Sequence, residues 1–152
     1  ISEMPEELWY TIPEGTDSNF AWQVGHLLVS QNFHAITTIT GVNEDIKRQI
    51  PIARYNKIFN GMGTLHRSVE RDFVPTSALK EQLDFVHDIC LANLLTLNDE
   101  ILNSPLEPIP FKHPVADIKY EALSWCFKHE MWHSAEMEAI KRALGYPIVW
   151  MK

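Results

Sequence analysis

Two cysteines in 152 residues are too few for a disulfide framework. Cys90 and Cys126 both fall in apolar, helical stretches, where reduced thiols pack as small hydrophobes. No apolar run approaches the roughly 18 residues of a membrane span, and no signal peptide is visible. Alternating runs of convincing strand length are missing, as are internal repeats and low-complexity tracts. Basic residues are in deficit. The formal charge of −7 speaks against a nucleic-acid backbone or an anionic membrane as partner, since both attract a basic face. A soluble, cytoplasmic protein is the expectation. Residue 1 is Ile, which leaves room for a missing segment upstream.

What remains is an ordinary globular composition, 45% hydrophobic and 22% charged, over a length that suits one domain, residues 1–152. The pattern is helical. Residues 1–18, punctuated by Pro5, Pro13 and Gly15, read as a short helical piece and a loop. A helix near 19–40 starts at a Ser18 or Asn19 cap and ends at Gly41. A short polar helix follows at 43–49, and Pro51 interrupts or restarts the chain. Gly61-Met62-Gly63 breaks the next stretch, with one or two helical turns between Thr64 and Glu70. A helix near 77–102 carries the seam Leu79, Leu83, Val86, Cys90, Leu94, Leu97 and Ile101. Prolines at 105, 108, 110 and 114 make 103–114 an extended loop. The last helix, near 117–144, has Asp117 as its expected cap and Gly145 past its end. The fold class is all-α, and three long amphipathic helices ask for a fourth to close a four-helix bundle. That helix comes from residues 43–70 or lies partly upstream of Ile1.

The chemistry sits on two of these helices. Ala122, Cys126, His129, His133, Met137, Ile140 and Leu144 form the apolar stripe of the last helix, with two histidines at its centre. They are four apart, so both imidazoles leave one face. Such a pair alone is more often satisfied by water or neighbouring side chains. The 19–40 helix adds a third, because its stripe runs Trp22, His26, Val29, Phe33, Ile36. Each uncompensated buried polar group costs roughly 1–3 kcal/mol, and an ion is one partner that three imidazoles can share. Three histidine ligands also leave a position open for water or substrate, as in catalytic metal sites.

His129-Glu130-x-x-His133 also fits the zinc-protease pattern, with the glutamate activating a metal-bound water. Its extended form needs glycine and histidine where this chain has Glu136 and Ala139. The other form needs a carboxylate from a further helix, and only nineteen residues follow His133. Glu130 also leaves the helix about 100° from its neighbouring histidine, so it is not assigned as a base.

The segment from Asn19 to Leu27 reads Asn-x-x-Trp-x-x-Gly-His-Leu. About a hundred residues later come Glu121-Ala122-Leu123-Ser124-Trp125, then His129-Glu130-Met131-Trp132-His133, closed by Leu144-Gly145. Together these resemble the DinB-like (YfiT-like) family of helical-bundle proteins. The resemblance implies an up-down-down-up four-helix bundle with a divalent metal, nickel or zinc, held by His26, His129 and His133. It also implies thiol-dependent S-transfer to a small electrophile as the favoured reaction, with hydrolysis second. A non-catalytic metal- or ligand-binding bundle is the alternative. The partner expected is a small molecule, including a low-molecular-weight thiol, with a homodimer compatible. Two departures stand out: Ser134-Ala135-Glu136 replaces the second histidine or Gly-Gln pair common after the last ligand, and only eighteen residues precede the first motif.

Other histidines are ranked lower. His87, next to the seam residue Val86, is the reserve ligand or a partner behind the ligands. His34 is turned roughly 80° from His26 on an ideal helix and is expected at a flank or in solvent. His66 and His113, in irregular segments, are expected to be exposed. Trp22, Trp125 and Trp132 read as core aromatics. No convincing Ser-His or Cys-His pairing surrounds either cysteine.

Overall fold

The computed structural model describes residues 4–60 and 73–146. The glycine break at 61–63, the turns between Thr64 and Glu70, and His66 lie outside the described residues. A short 3-10 turn, Glu6–Leu8, precedes the first helix. Helix α1, Phe20–Gln31, starts where the Asn19 side chain accepts the Trp22 N–H at 2.8 Å, satisfying one of the free donors of a first turn. Every residue of α1 except His26 is buried, so it is packed around its whole circumference. A single stripe was expected. The reason for the difference is placement, since α1 is the central helix of the molecule, packed by three others.

At Asn32–Thr37 the helix widens into a π turn before a last α turn, Thr38–Thr40, ends at Gly41 with φ +88°. Asn43 then caps α2, Glu44–Gln49, accepting the N–H groups of Asp45 and Ile46, both at 3.0 Å. Pro51 separates α2 from α3, Ile52–Phe59, which turns Tyr55 and Phe59 inward. Thus residues 43–70 do supply a further helix against α1. Helix α4, Thr76–Leu94, is tied to the N-terminal segment by Thr76 Oγ1 donating to Glu6 Oε2 at 2.6 Å.

The helix expected over 77–102 divides. Helix α4 stops at Leu94, and a short α5, Asp99–Leu102, restarts behind Asn98, whose side chain accepts the Ile101 N–H at 2.9 Å. The capping signal at Asn98-Asp99 overrides the apolar spacing of Leu94, Leu97 and Ile101, and Leu94 is exposed. Helix α6, Lys119–Ala143, differs at its start. Asp117 does not cap it; Glu121 Oε2 instead reaches back to the N–H groups of Asp117 at 2.8 Å and Ile118 at 3.3 Å, half of a capping box. Beyond its end, Gly145 at φ +85° lets the Tyr146 N–H bond Lys141 O at 2.9 Å, a Schellman closure.

The proline-rich loop between α5 and α6 is pinned to the bundle. Glu107 N–H bonds Thr38 O at 2.9 Å, and Lys119 Nζ meets Glu107 Oε1 at 2.7 Å. The fold is all-α: among the described residues the sole strand-like pairing is an isolated bridge, Pro105 to Ile118. No helix among them is long and apolar enough to cross a membrane.

Candidate metal centre

Four positions of the first motif, Asn19, Trp22, Gly25 and His26, each have a local physical task. Asn19 caps α1. One turn on, Trp22 Nε1–H donates to Ile58 O at 3.2 Å, and His26 Nδ1–H donates to Phe59 O at 2.6 Å. These are carbonyls at the end of α3, which have no partner inside their own helix. Gly25 makes the approach possible. A Cβ there would stand 2.6 Å from three atoms of the buried Phe59 ring. The small residue lets α3 pack close, and the close packing delivers the Phe59 carbonyl to His26.

The three histidines of α1 and α6 come together. One ring nitrogen from each of His26, His129 and His133 lies within 4.8 Å of the other two, and all three residues are half-buried. His129 Nε2 is 3.3 Å from His26 Nε2 and 3.0 Å from His133 Nε2. Nitrogens about 2.1 Å from a shared ion at angles of about 90–110° stand roughly 3.0–3.4 Å apart, so the spacing suits one ion.

The opposite edges of the rings are also accounted for. His26 Nδ1 faces the Phe59 carbonyl, which only accepts. His133 Nδ1 faces Gln23 Oε1 at 2.6 Å, while Gln23 Nε2 donates to Ser18 Oγ at 3.1 Å, fixing the amide's orientation. The Ser30 hydroxyl lies 2.9 Å from His129 Nδ1 and rotates to give or take that proton. With protons on Nδ1, the lone pairs of the Nε2 atoms converge. Burial lowers the pKa of His129, favouring the neutral, ligating form. An imidazole whose far nitrogen donates to a carbonyl or amide oxygen is the usual arrangement behind a metal ligand.

Glu130 is directed elsewhere. Its Oε1 accepts from Gln31 Nε2 at 3.0 Å and from Cys126 Sγ at 3.2 Å, and it does not join the histidine group. The base position of the zinc-protease pattern is therefore not filled by Glu130. His87, the reserve ligand, also stands outside. It is exposed, with Nδ1 3.0 Å from Gln31 Nε2.

Two expectations are corrected. His34 and His113, placed in solvent or at a flank by sequence, are both buried and paired, with His34 Nδ1 2.8 Å from His113 Nε2. A π turn carries more residues per turn than an α-helix, so each advances fewer degrees and His34 swings back toward the His26 side. His113 is covered by the Phe33 ring stacked on it at 5.6 Å. Burial, reinforced by the neighbouring histidines, pushes the His34 pKa down to about 3, and burial lowers that of His113. Trp132 is corrected too: it is 62% exposed, whereas Trp22 is core and Trp125 half-buried. Trp22 stacks on His26 at 4.7 Å and Trp125 on His129 at 5.7 Å.

The family model of the DinB superfamily matches residues 1–137, which takes in both histidine-bearing helices. The chain belongs to the DinB superfamily. No curated protein and no solved structure matches it. In this DinB-superfamily chain the described residues hold one histidine cluster suited to a metal ion. A groove lined by Leu94, Leu97, Leu102, Tyr120, Leu123 and Ser124 contains none of those ligands.

Sequence reasoning missed Gln23 and Ser30. A signal existed: they lie three before and four after His26, on its own face of α1. Polar residues in that register, on a helix buried all round, mark a hydrogen-bonding seam.

Proposed function

We propose that this chain is a divalent-metal-dependent enzyme of DinB type, binding nickel or zinc through His26, His129 and His133. Its favoured reaction is transfer of a low-molecular-weight thiol to a small electrophile, with hydrolysis second. The observation that carries this is the convergence of three Nε2 atoms while their Nδ1 atoms face Phe59 O, Ser30 Oγ and Gln23 Oε1.

His26, His129 and His133 would hold the ion, and its charge would lower the pKa of a thiol or water bound beside them, making a nucleophile available at neutral pH. The chain's own residues supply position. Phe59 O, Ser30 and Gln23 fix the imidazole planes, and Trp22 and Trp125 flank two of them. None of the three residues is fully buried, which is compatible with a small molecule reaching the group from solvent. A protein nucleophile is not needed. Burial raises the pKa of Cys90 to about 11 and raises that of Cys126 further, with Glu130 adding to both, so neither thiol is poised to attack.

The test is elemental analysis of protein purified without chelator, followed by a thiol panel against a model electrophile and an ester panel. One divalent ion per chain, with thiol consumption abolished by chelator, supports the proposal. A bound ion with no turnover in either panel favours the non-catalytic bundle. Turnover in metal-free protein contradicts it.

A further inference from the structure

The π turn brings a fourth histidine beside the three ligands. His34 lies with its ring centroid 6.1 Å from that of His129, edge to face. Its proton is placed by a chain that begins in the proline-rich loop. Val115 N–H donates to His113 Nδ1 at 3.3 Å, so in the neutral ring the His113 proton sits on Nε2. That Nε2–H faces His34 Nδ1 at 2.8 Å, which must then accept. The His34 proton is left on Nε2, on the ring edge away from His113. Among the described residues, His34 Nε2 has no hydrogen-bond partner.

This arrangement is specific. A backbone amide, which can only donate, sets the direction of the whole chain, and Phe33 stacks on His113 to hold its plane. The π turn that delivers His34 sits between α4 and α6, the latter bearing His129 and His133. Turns of this kind are rare and frequently occur at functional sites.

Resting on the metal proposal above, we propose that His34 Nε2–H is a hydrogen-bond donor for a carbonyl or carboxylate oxygen of the small molecule that occupies the open side of the histidine centre. His113 is the positioning residue that fixes its tautomer. The electrophile therefore carries such an acceptor oxygen, either as its own carbonyl or as a carboxylate substituent that anchors it beside the reacting carbon. A neutral donor of this kind recognises an acceptor oxygen and gives nothing to a ligand that only donates.

Two measurements test this. Long-range proton–nitrogen correlation spectra of the nitrogen-15-labelled protein at neutral pH read the tautomers directly. Both His34 and His113 should carry their proton on Nε2, and His113→Phe should release the His34 preference. A proton on His34 Nδ1 in the unsubstituted protein overturns the proposal. The second measurement titrates acetate into cobalt(II)-loaded protein, followed by visible absorption. His34→Phe should bind cobalt with unchanged stoichiometry yet hold acetate about tenfold more weakly, and His34→Gln, which keeps an N–H, should recover part of that affinity. Should His34→Phe fail to fold, His113→Phe provides the comparison, since release of the His34 tautomer should also weaken acetate binding at unchanged cobalt content. Unchanged acetate affinity at unchanged cobalt content overturns this inference alone. Failure of the unsubstituted protein to take up cobalt overturns the metal proposal and this inference with it.

Discussion

Gln23 Oε1 lies 2.6 Å from His133 Nδ1, joining α1 to α6 across 110 residues of sequence. The amide cannot turn over without losing Ser18, so His133 presents Nε2 to the centre. Gln23→Ala should lower metal affinity about 10–100-fold, the usual effect of removing a partner behind a ligand. Gln23→Glu should retain it. Chelator competition measures both, and an unchanged Gln23→Ala affinity would show that the amide does not orient the ligand.

Gly25 offers a case in which two effects oppose. In a helix interior, glycine to alanine ordinarily stabilises by roughly 1 kcal/mol. Here the new methyl meets the Phe59 ring at 2.6 Å, and overpacking of a core costs typically about 1–3 kcal/mol. Gly25→Ala should be destabilising in urea denaturation, and it should weaken metal binding because the Phe59 carbonyl moves away from His26. A stabilised variant would refute the close packing of α3 on α1.

Stability should depend on acid in a defined window. The His34 pKa is lowered from 6.5 to about 3, chiefly by burial, and those of His113 and His129 are lowered as well. A depressed histidine pKa means that below about 6.5 the unfolded chain takes up protons the folded one refuses. The stabilising contribution is therefore present above pH 6.5 and is lost as pH falls toward 3. For His34 the slope approaches about 1.4 kcal/mol per pH unit within that window, and His113 and His129 add to it in the same direction. Denaturation of metal-free protein at pH 7, 6, 5 and 4 measures it, and His34→Phe should show a shallower decline.

Much of the centre was legible because it obeys helical register. His129 and His133 are four apart on an apolar stripe, and His26 stands on another. The Asn19 cap and the Gly41 and Gly145 terminations follow local rules that packing did not override. What escaped was set by tertiary contacts or by departures from ideal geometry. The π turn at Asn32–Thr37 moves His34 inward, and nothing in the local residues announces it. His113 is buried because a loop folds onto Phe33, a contact 80 residues away in sequence. The division at Leu94 was readable from Asn98-Asp99 but was masked by leucines that continue the apolar spacing.

The cysteines should prove dispensable. Both are buried, and their raised pKa values keep them as thiols. Cys90→Ala and Cys126→Ala should keep activity once metal is bound, and native protein should react slowly with thiol-modifying reagents. Loss of turnover in Cys126→Ala without loss of metal would assign that thiol a chemical role.

The central claim is that His26, His129 and His133 jointly hold one divalent ion, and metal content measured alongside circular dichroism tests it most directly. Purified protein should carry about one ion per chain, the single site the three converging ligands define. His26→Ala, His129→Ala and His133→Ala should each lose most of it while keeping helical content. Full occupancy in His26→Ala, or no ion in the unsubstituted protein supplied with nickel or zinc, would contradict the account.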